Sequence, residues 1–241
     1  MLPLAAVAQK DSIPKIEADR PDQTESPAIV PKKYFQIETG FISEKTDANT
    51  RTIVHPSSLW KYGLNNRFEL RLITELNSIK ESENLISGLI PVAVGFKVNL
   101  SEEKGLMPRT SLISHLNLKS VASKNFVAEK YAPEFRFTMQ HSLSDKISLG
   151  YNLGMEWDGD ETGAEYIYTL TTGCEFTEKI GGYVELYGFA ASRHTADHRF
   201  DAGITYFPAD WLMLDISGGL GISRIAPPHF IAVGFTVRFH Q

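Results

Sequence analysis

The residues in this chain of 241 that could do chemistry are charged side chains set among apolar ones. Glu38, Glu69, Arg71, Glu75, Lys97, Glu134, Arg136, Glu156, Glu175, Glu185, Asp201, Asp215 and Arg238 fall in segments whose alternate positions are greasy. Two consequences are open. A row of carboxylates along one face could form a cation-favouring passage or bind a solute. The same carboxylates could instead pair with Arg71, Lys97, Arg136 and Arg238 and fill a narrow interior, since a charge buried without a partner is costly. With Glu165 added, the acids outnumber these four cations and Lys119, so an open lumen is expected to prefer cations.

Other chemistries find little support. His194, Asp197 and His198 crowd one polar segment, but a His-x3-His pair in a loop reads as surface polarity before it reads as a metal site. His141 adjoins Ser142 and lies near Ser144, and His115 adjoins Ser114. Sequence neighbours on a strand point to opposite faces, so these make poor nucleophile and base pairs, and no enzyme is expected. Gly218-Gly219-Leu220-Gly221 lacks the Lys-Ser/Thr and helix of a phosphate loop. Cys174 is the single cysteine, which excludes an intrachain disulfide. A net charge of −5 leaves no basic footprint for nucleic acid, and no cofactor is expected.

The elements that must position these residues are strands. Ile147, Leu149, Tyr151, Leu153, Met155 and Trp157 share one parity, and Ser148, Gly150, Asn152, Gly154 and Glu156 the other, a period of two. Similar segments fall near 33–44, 52–60, 66–77, 86–100, 109–119, 132–143, 146–157, 165–177, 180–191, 198–207, 211–222 and 229–239. Pro56 and Pro91 weaken two of them, and Pro91 implies a bulge or a later start. Their even number fits a closed antiparallel transmembrane β-barrel of about 12 strands, all-β in class.

Three features favour a membrane barrel over a soluble sandwich, which also alternates. Charge is confined to one face, as lipid demands: an outward Lys or Arg near the bilayer midplane costs about 2–4 kcal/mol. Aromatics gather at strand ends, with Tyr34, Phe35, Trp60, Phe176, Phe207, Trp211 and Phe239 on one rim and Trp157, Tyr166 and Phe230 on the other. Connections alternate between tight turns, as at Ser144-Asp145, Glu178-Lys179 and Ala209-Asp210, and longer polar links near 45–51, 120–131, 158–164 and 192–197. The connection Glu102 to Met107 is longer than that rule wants.

The domain reading is residues 1–8 as the end of a signal peptide, 9–32 as an extended periplasmic leader and 33–241 as the barrel. Ala6-Val7-Ala8 is a small-residue cleavage site, and the lack of Lys or Arg before it implies a start upstream of Met1. Asp19, Arg20, Asp22 and Glu25 would dock the leader in the lumen or on a periplasmic partner, or else leave it a proline-stiffened solvated linker. The partners expected are outer-membrane lipid, the barrel-assembly machinery acting on the C-terminal strand at Phe239, and an unspecified small solute.

Asp19, Arg20, Pro21, Asp22, Gln23, Thr24, Glu25, Ser26 and Pro27, then Val30-Pro31-Lys32 and Phe35 to Gly40, resemble the opening motif of the family labelled putative MetA-pathway of phenol degradation. The match covers residues 19 to 41, with Lys33 standing where the family pattern has Gly. The resemblance implies an outer-membrane β-barrel that passes small solutes, including hydrophobic or aromatic ones, without establishing phenol as cargo. It brings no catalytic residues. The alternatives are a structural or adhesive barrel without transport and a barrel-wall lipid hydrolase.

Overall fold

The computed structural model describes residues 15–160, 163–191 and 195–240. The signal-peptide reading at 1–8 and His194 lie outside them. Among the described residues thirteen strands form one closed sheet: β1 Tyr34–Lys45, β2 Thr50–Asn65, β3 Phe68–Glu81, β4 Asn84–Leu89, β5 Ala93–Ser101, β6 Arg109–Asn117, β7 Ala132–Ser142, β8 Ile147–Glu156, β9 Glu165–Glu175, β10 Ile180–Ala191, β11 Asp197–Ala209, β12 Leu212–Gly221 and β13 His229–His240. Every pairing between them is antiparallel, and β1 against β13 closes the ring from Tyr34↔His240 to Lys45↔His229.

The wall is a twelve-stave barrel, because β4 and β5 are halves of one stave. Both pair with β3, β5 along Phe68–Ile73 and β4 along Leu76–Glu81. The break falls at Pro91, which has no N–H to give the ladder. Pro56 is absorbed differently: β2 runs straight through it, with a register shift against β3 between Val54 and Ser57. The stave expected at 52–60 is therefore longer than its proline suggested.

Alternation sorts the faces. Leu70, Leu72, Phe137, Leu153, Leu170, Leu186, Ile204, Leu214, Ile216 and Val233 are exposed on the outside, where lipid would cover them. Gln36, Glu38, Glu69, Lys97, Thr138, Asn152, Glu185 and Thr236 are almost fully buried inside. This inversion of the usual soluble pattern, greasy surface and polar core, is what a barrel in lipid requires.

Both ends of the barrel chain, Tyr34 and His240, meet at one rim, here called the terminal end. Phe176, Trp211 and Phe239 are exposed near it, with Phe35 stacked on Phe239. Phe230 corrects the aromatic-rim expectation: it shares the inward parity of Ala232 and lines a cavity in the lumen. Trp60 lies further along its stave, opposite Ile37 and Leu72. The long turn at the terminal end folds on itself through Lys104 and Met107. Its Glu103 accepts the Ser142 N–H at 2.9 Å and the Ser142 hydroxyl at 2.8 Å, clasping the neighbouring β7–β8 turn.

Candidate functional site

A twelve-stranded wall encloses more space than an eight-stranded one, whose side chains just fill it, and less than the sixteen-stranded open pores. Here the surplus is taken up by the chain's own leader. Residues 15–32 are extended and lie in the lumen, bonded to the inward carboxylates Glu38, Glu69 and Glu185. The segment enters at the terminal end, where the Ile16 N–H donates to Asp210 O and Lys15 sits 4.0 Å over the Phe207 ring. It turns at residues 20–25 and returns to the same end, where the Lys33 N–H donates to Gly63 O at 2.8 Å. Lys33 itself has φ 69°, a left-handed conformation that glycine adopts at less cost.

The root of this plug is Asp19. Its carboxylate receives Lys61 Nζ at 2.8 Å, Arg71 Nη1 at 3.0 Å and Lys97 Nζ at 2.8 Å, all buried. Burial alone would raise its pKa, but Lys61, Lys97 and Arg71 outweigh that and hold the carboxyl well below its usual range. Lys97 also donates to Ser26 O, and the Ser26 N–H donates back to Asp19, so the two arms of the plug are tied together. Glu25 takes Arg71 Nη2 at 2.6 Å. Arg136 donates to Gln23 O at 3.0 Å while pairing with Glu134, which also holds His115 Nδ1 at 2.9 Å.

The wall carboxylates do complementary work. A leader rich in proline has no ladder of its own, so its buried N–H groups need acceptors. Glu38 accepts from the Asp19 and Arg20 amides at 2.8 and 3.0 Å. Glu185 accepts from the Gln23 and Thr24 amides at 2.8 and 2.7 Å and from the Thr24 hydroxyl. Glu69 accepts from Val30 at 2.8 Å. Asn152 holds Glu25 by both its N–H and its carbonyl.

Arg20 is seated in a slot cut by two glycines. Gly40 and Gly234 face each other across β1 and β13, and a Cβ on either would lie 1.9 or 2.4 Å from the guanidinium. Asp215, next to Gly234 on β12, closes the slot and takes Nη2 at 2.8 Å and Nε at 3.3 Å. Two residues on, Asp22 meets Glu185 and Asp201, a directly opposed pair on β10 and β11. Among the described residues no Lys or Arg forms an ion pair with these three acids. Burial, and then the neighbouring carboxylates, push Asp22 well above its usual range.

Of the residues singled out in the sequence, Glu38, Glu69, Arg71, Lys97, Arg136, Glu185, Asp201, Asp215 and Arg238 are buried on the inner face. Glu134 joins them through Arg136 and His115. Glu75 stands apart, hydrogen-bonded to Ser57 and Asn77. Glu156 faces Glu165 at the far rim, and Glu175 is exposed at the terminal end beside Lys15. Some wall carboxylates and cations pair directly, Lys61 with Glu38, Arg71 with Glu69 and Arg136 with Glu134, and Asp19 and Glu25 of the leader join the same network. Sequence reasoning missed Lys61, because it ended the second stave at Trp60. His115 pairs with Glu134 while Ser114 points the other way, and His141 and Ser142 both contact Glu103. His198 pairs with Tyr168.

A family model described as "Putative MetA-pathway of phenol degradation" matches residues 18–239. No curated protein matches the sequence. Among solved structures, the COG4313 outer membrane channel from Pseudomonas putida F1 superposes with a TM-score of 0.71 at 11% identity, over 91% of this chain and 99% of that one. The KdgM porin in complex with disordered oligogalacturonate gives 0.55 at 12% identity, over 85% and 99%. The CymD monoaromatic hydrocarbon channel gives 0.54 at 9% identity, over 88% and 90%. At such identities the likeness is one of fold.

Proposed function

The chain belongs to the family described as putative MetA-pathway of phenol degradation, and from that premise we propose an outer-membrane channel for small solutes, closed at rest by its own N-terminal segment. The observation that carries this reading is how the lumen is filled. A barrel with a purely structural role can close its interior with wall side chains. Here a separate stretch of chain is held by ion pairs and side-chain hydrogen bonds that can be exchanged for water one by one, so the filling is removable.

The solved structures of like fold are channels and porins, and a non-enzymatic role keeps that company. The cargo we propose is a small, partly apolar solute, including aromatic ones. A cavity of about 230 Å³ on the side away from the terminal end carries the Tyr187 and Phe230 rings beside Ile42 and Ala232. That is below the roughly 300–1,000 Å³ of sites for drug-sized ligands. Outer-membrane lipid would cover the apolar face, and β13 ending on Phe239 and His240 would be the strand handed over by the assembly machinery.

Conductance of the refolded protein in planar bilayers tests the reading, with heat-modifiable gel mobility as the check of folding. The wild type should open rarely, and Asp19→Asn, which loosens the root, should open often. Silence from a folded Asp19→Asn barrel would favour the structural or adhesive alternative.

A further inference from the structure

The plug does not divide the lumen evenly. The outer cavity just described is floored by Arg20, Pro21, Asp22 and Gln23. A second cavity, of about 220 Å³, opens on the terminal side among Tyr183, Thr205, Phe207 and Met213, and it too is bounded by Arg20, Pro21 and Asp22. Both spaces touch β10 and β11; the outer one adds β13 and β1, and the inner one adds β12 and, through Gln140, β7. They share only these three leader residues in their linings.

Those three residues are held quite differently from the root. Asp19 is gripped by Lys61, Arg71 and Lys97, and the returning arm is tied to Asn152, Arg136 and Glu69. Arg20 gives its amide to Glu38, as Asp19 does, but among the described residues its guanidinium has one ionic partner, Asp215, in a slot that exists because positions 40 and 234 lack side chains. Pro21 has no N–H to donate. Asp22 is hydrogen-bonded to Thr171 of β9 and faces acids of its own sign on β10 and β11.

We propose that the solute path runs along the β10–β13 sector and that Arg20-Pro21-Asp22 is its gate. Swinging this short turn out of the Gly40–Gly234 slot joins the outer cavity to the inner one while Asp19 stays docked. Passage then needs a local movement, and the plug as a whole need not leave the barrel. The inference rests on the channel reading above and refines where in the lumen that channel lies.

Four variants of the full chain test it by potassium chloride conductance in planar bilayers, each first verified as folded by heat-modifiable mobility. Arg20→Ala removes the gate's ion pair. Gly40→Ala keeps every charge but puts a methyl group where the guanidinium lies, so it guards against Arg20→Ala acting through folding. Both should raise conductance several-fold. Asn152→Ala loosens the opposite arm and should raise it less. Asp19→Asn frees the root and reports whether any pore exists.

A rise for Asn152→Ala equal to that for Arg20→Ala would overturn the assigned path. So would wild-type conductance in both Arg20→Ala and Gly40→Ala when Asp19→Asn conducts, because the whole plug would then have to leave. If none of the four conducts, the channel reading itself has failed, a result distinguishable from failure of the gate.

Discussion

Lys97 Nζ donates to both oxygens of Asp19, at 2.8 and 3.0 Å, joining a mid-wall strand residue to a leader residue 78 positions away. The pair is buried and shared with Lys61 and Arg71, so removing the carboxylate takes from Lys97 the one acid it pairs with among the described residues, while Lys61 keeps Glu38 and Arg71 keeps Glu25 and Glu69. Breaking a buried charge network from one side typically costs about 3–5 kcal/mol. Asp19→Asn should therefore weaken leader docking by an amount of that order. Limited proteolysis of the folded barrel should cut the leader at residues 15–32 in the variant and spare it in the wild type. Equal protection would show that docking does not depend on this network.

The two faces of β12 offer a sharper contrast. Leu214 is exposed on the outer face, and Asp215 is buried inside against Arg20. Leu214→Arg should impair assembly, at about 2–4 kcal/mol if the site lies near the bilayer midplane. Asp215→Asn should assemble normally, retain an acceptor for Arg20 and lose the ionic part of the contact, behaving as a milder Arg20→Ala in conductance. Refolding yield into detergent micelles, read as the heat-shifted band, separates the two. Comparable loss of yield in both would contradict the assigned faces.

Leader docking should also respond to pH with opposite signs at root and tip. Asp22 faces Glu185 and Tyr183 from β10, Asp201 from β11 and Thr171 from β9, with Arg20 beside it on the leader turned to Asp215. Its pKa is raised in the docked state, so docking holds the proton, is strongest below that raised value and weakens as pH climbs through it. Asp19 is held low, so its contribution is complete above the ordinary carboxylate pKa of about 4 and fades only in stronger acid. Conductance should rise as pH climbs above the ordinary carboxylate range and through the raised Asp22 pKa, and Asp22→Asn should flatten that rise. A steeper rise in Asp22→Asn would reverse the argument.

Much of this wall is legible in the sequence because a strand in lipid has only two faces to satisfy. Ile147 to Trp157 alternates without a fault, and Pro91 marks the break in its stave. Errors came where parity was not carried through. Phe230 shares the parity of Ala232 and so faces inward, and Lys61 lies two residues beyond Leu59 in a strand ended too early at its rim. The plug leaves no such mark in the sequence. Asp19 finds Lys97 only after the wall has closed, and nothing local in Asp19 to Pro27 has a period that names its partner. Prolines and alternating charges there are equally consistent with a solvated linker. The slot for Arg20 was hidden for the same reason, since Gly40 and Gly234 become neighbours only through the β1–β13 closure.

Ion preference is the last consequence of the plug, and it changes what the acidic face means. Glu38, Glu69 and Glu185 accept hydrogen bonds from the leader, and Asp215 is paired with Arg20. A passing ion does not meet them freely while the root stays docked. Neutralising Glu69, Glu134 and Glu185 together would accordingly undock the leader before it tuned any pore. The charges that line the proposed outer cavity are Asp22, Glu44 and Asp201 against Arg20 and Arg199. Arg199 is itself held by Asp197 and Glu44, at 2.5 and 3.0 Å. That leaves the Asp22–Asp201 side in excess, next to a low-dielectric wall that strengthens each charge beyond its value in bulk water. The gate-open Arg20→Ala channel should thus favour potassium over chloride in a salt gradient at a pH high enough to ionise Asp22. Adding Asp201→Asn should move its reversal potential toward anions. An unchanged reversal potential in that double variant would place the ion path away from Asp201.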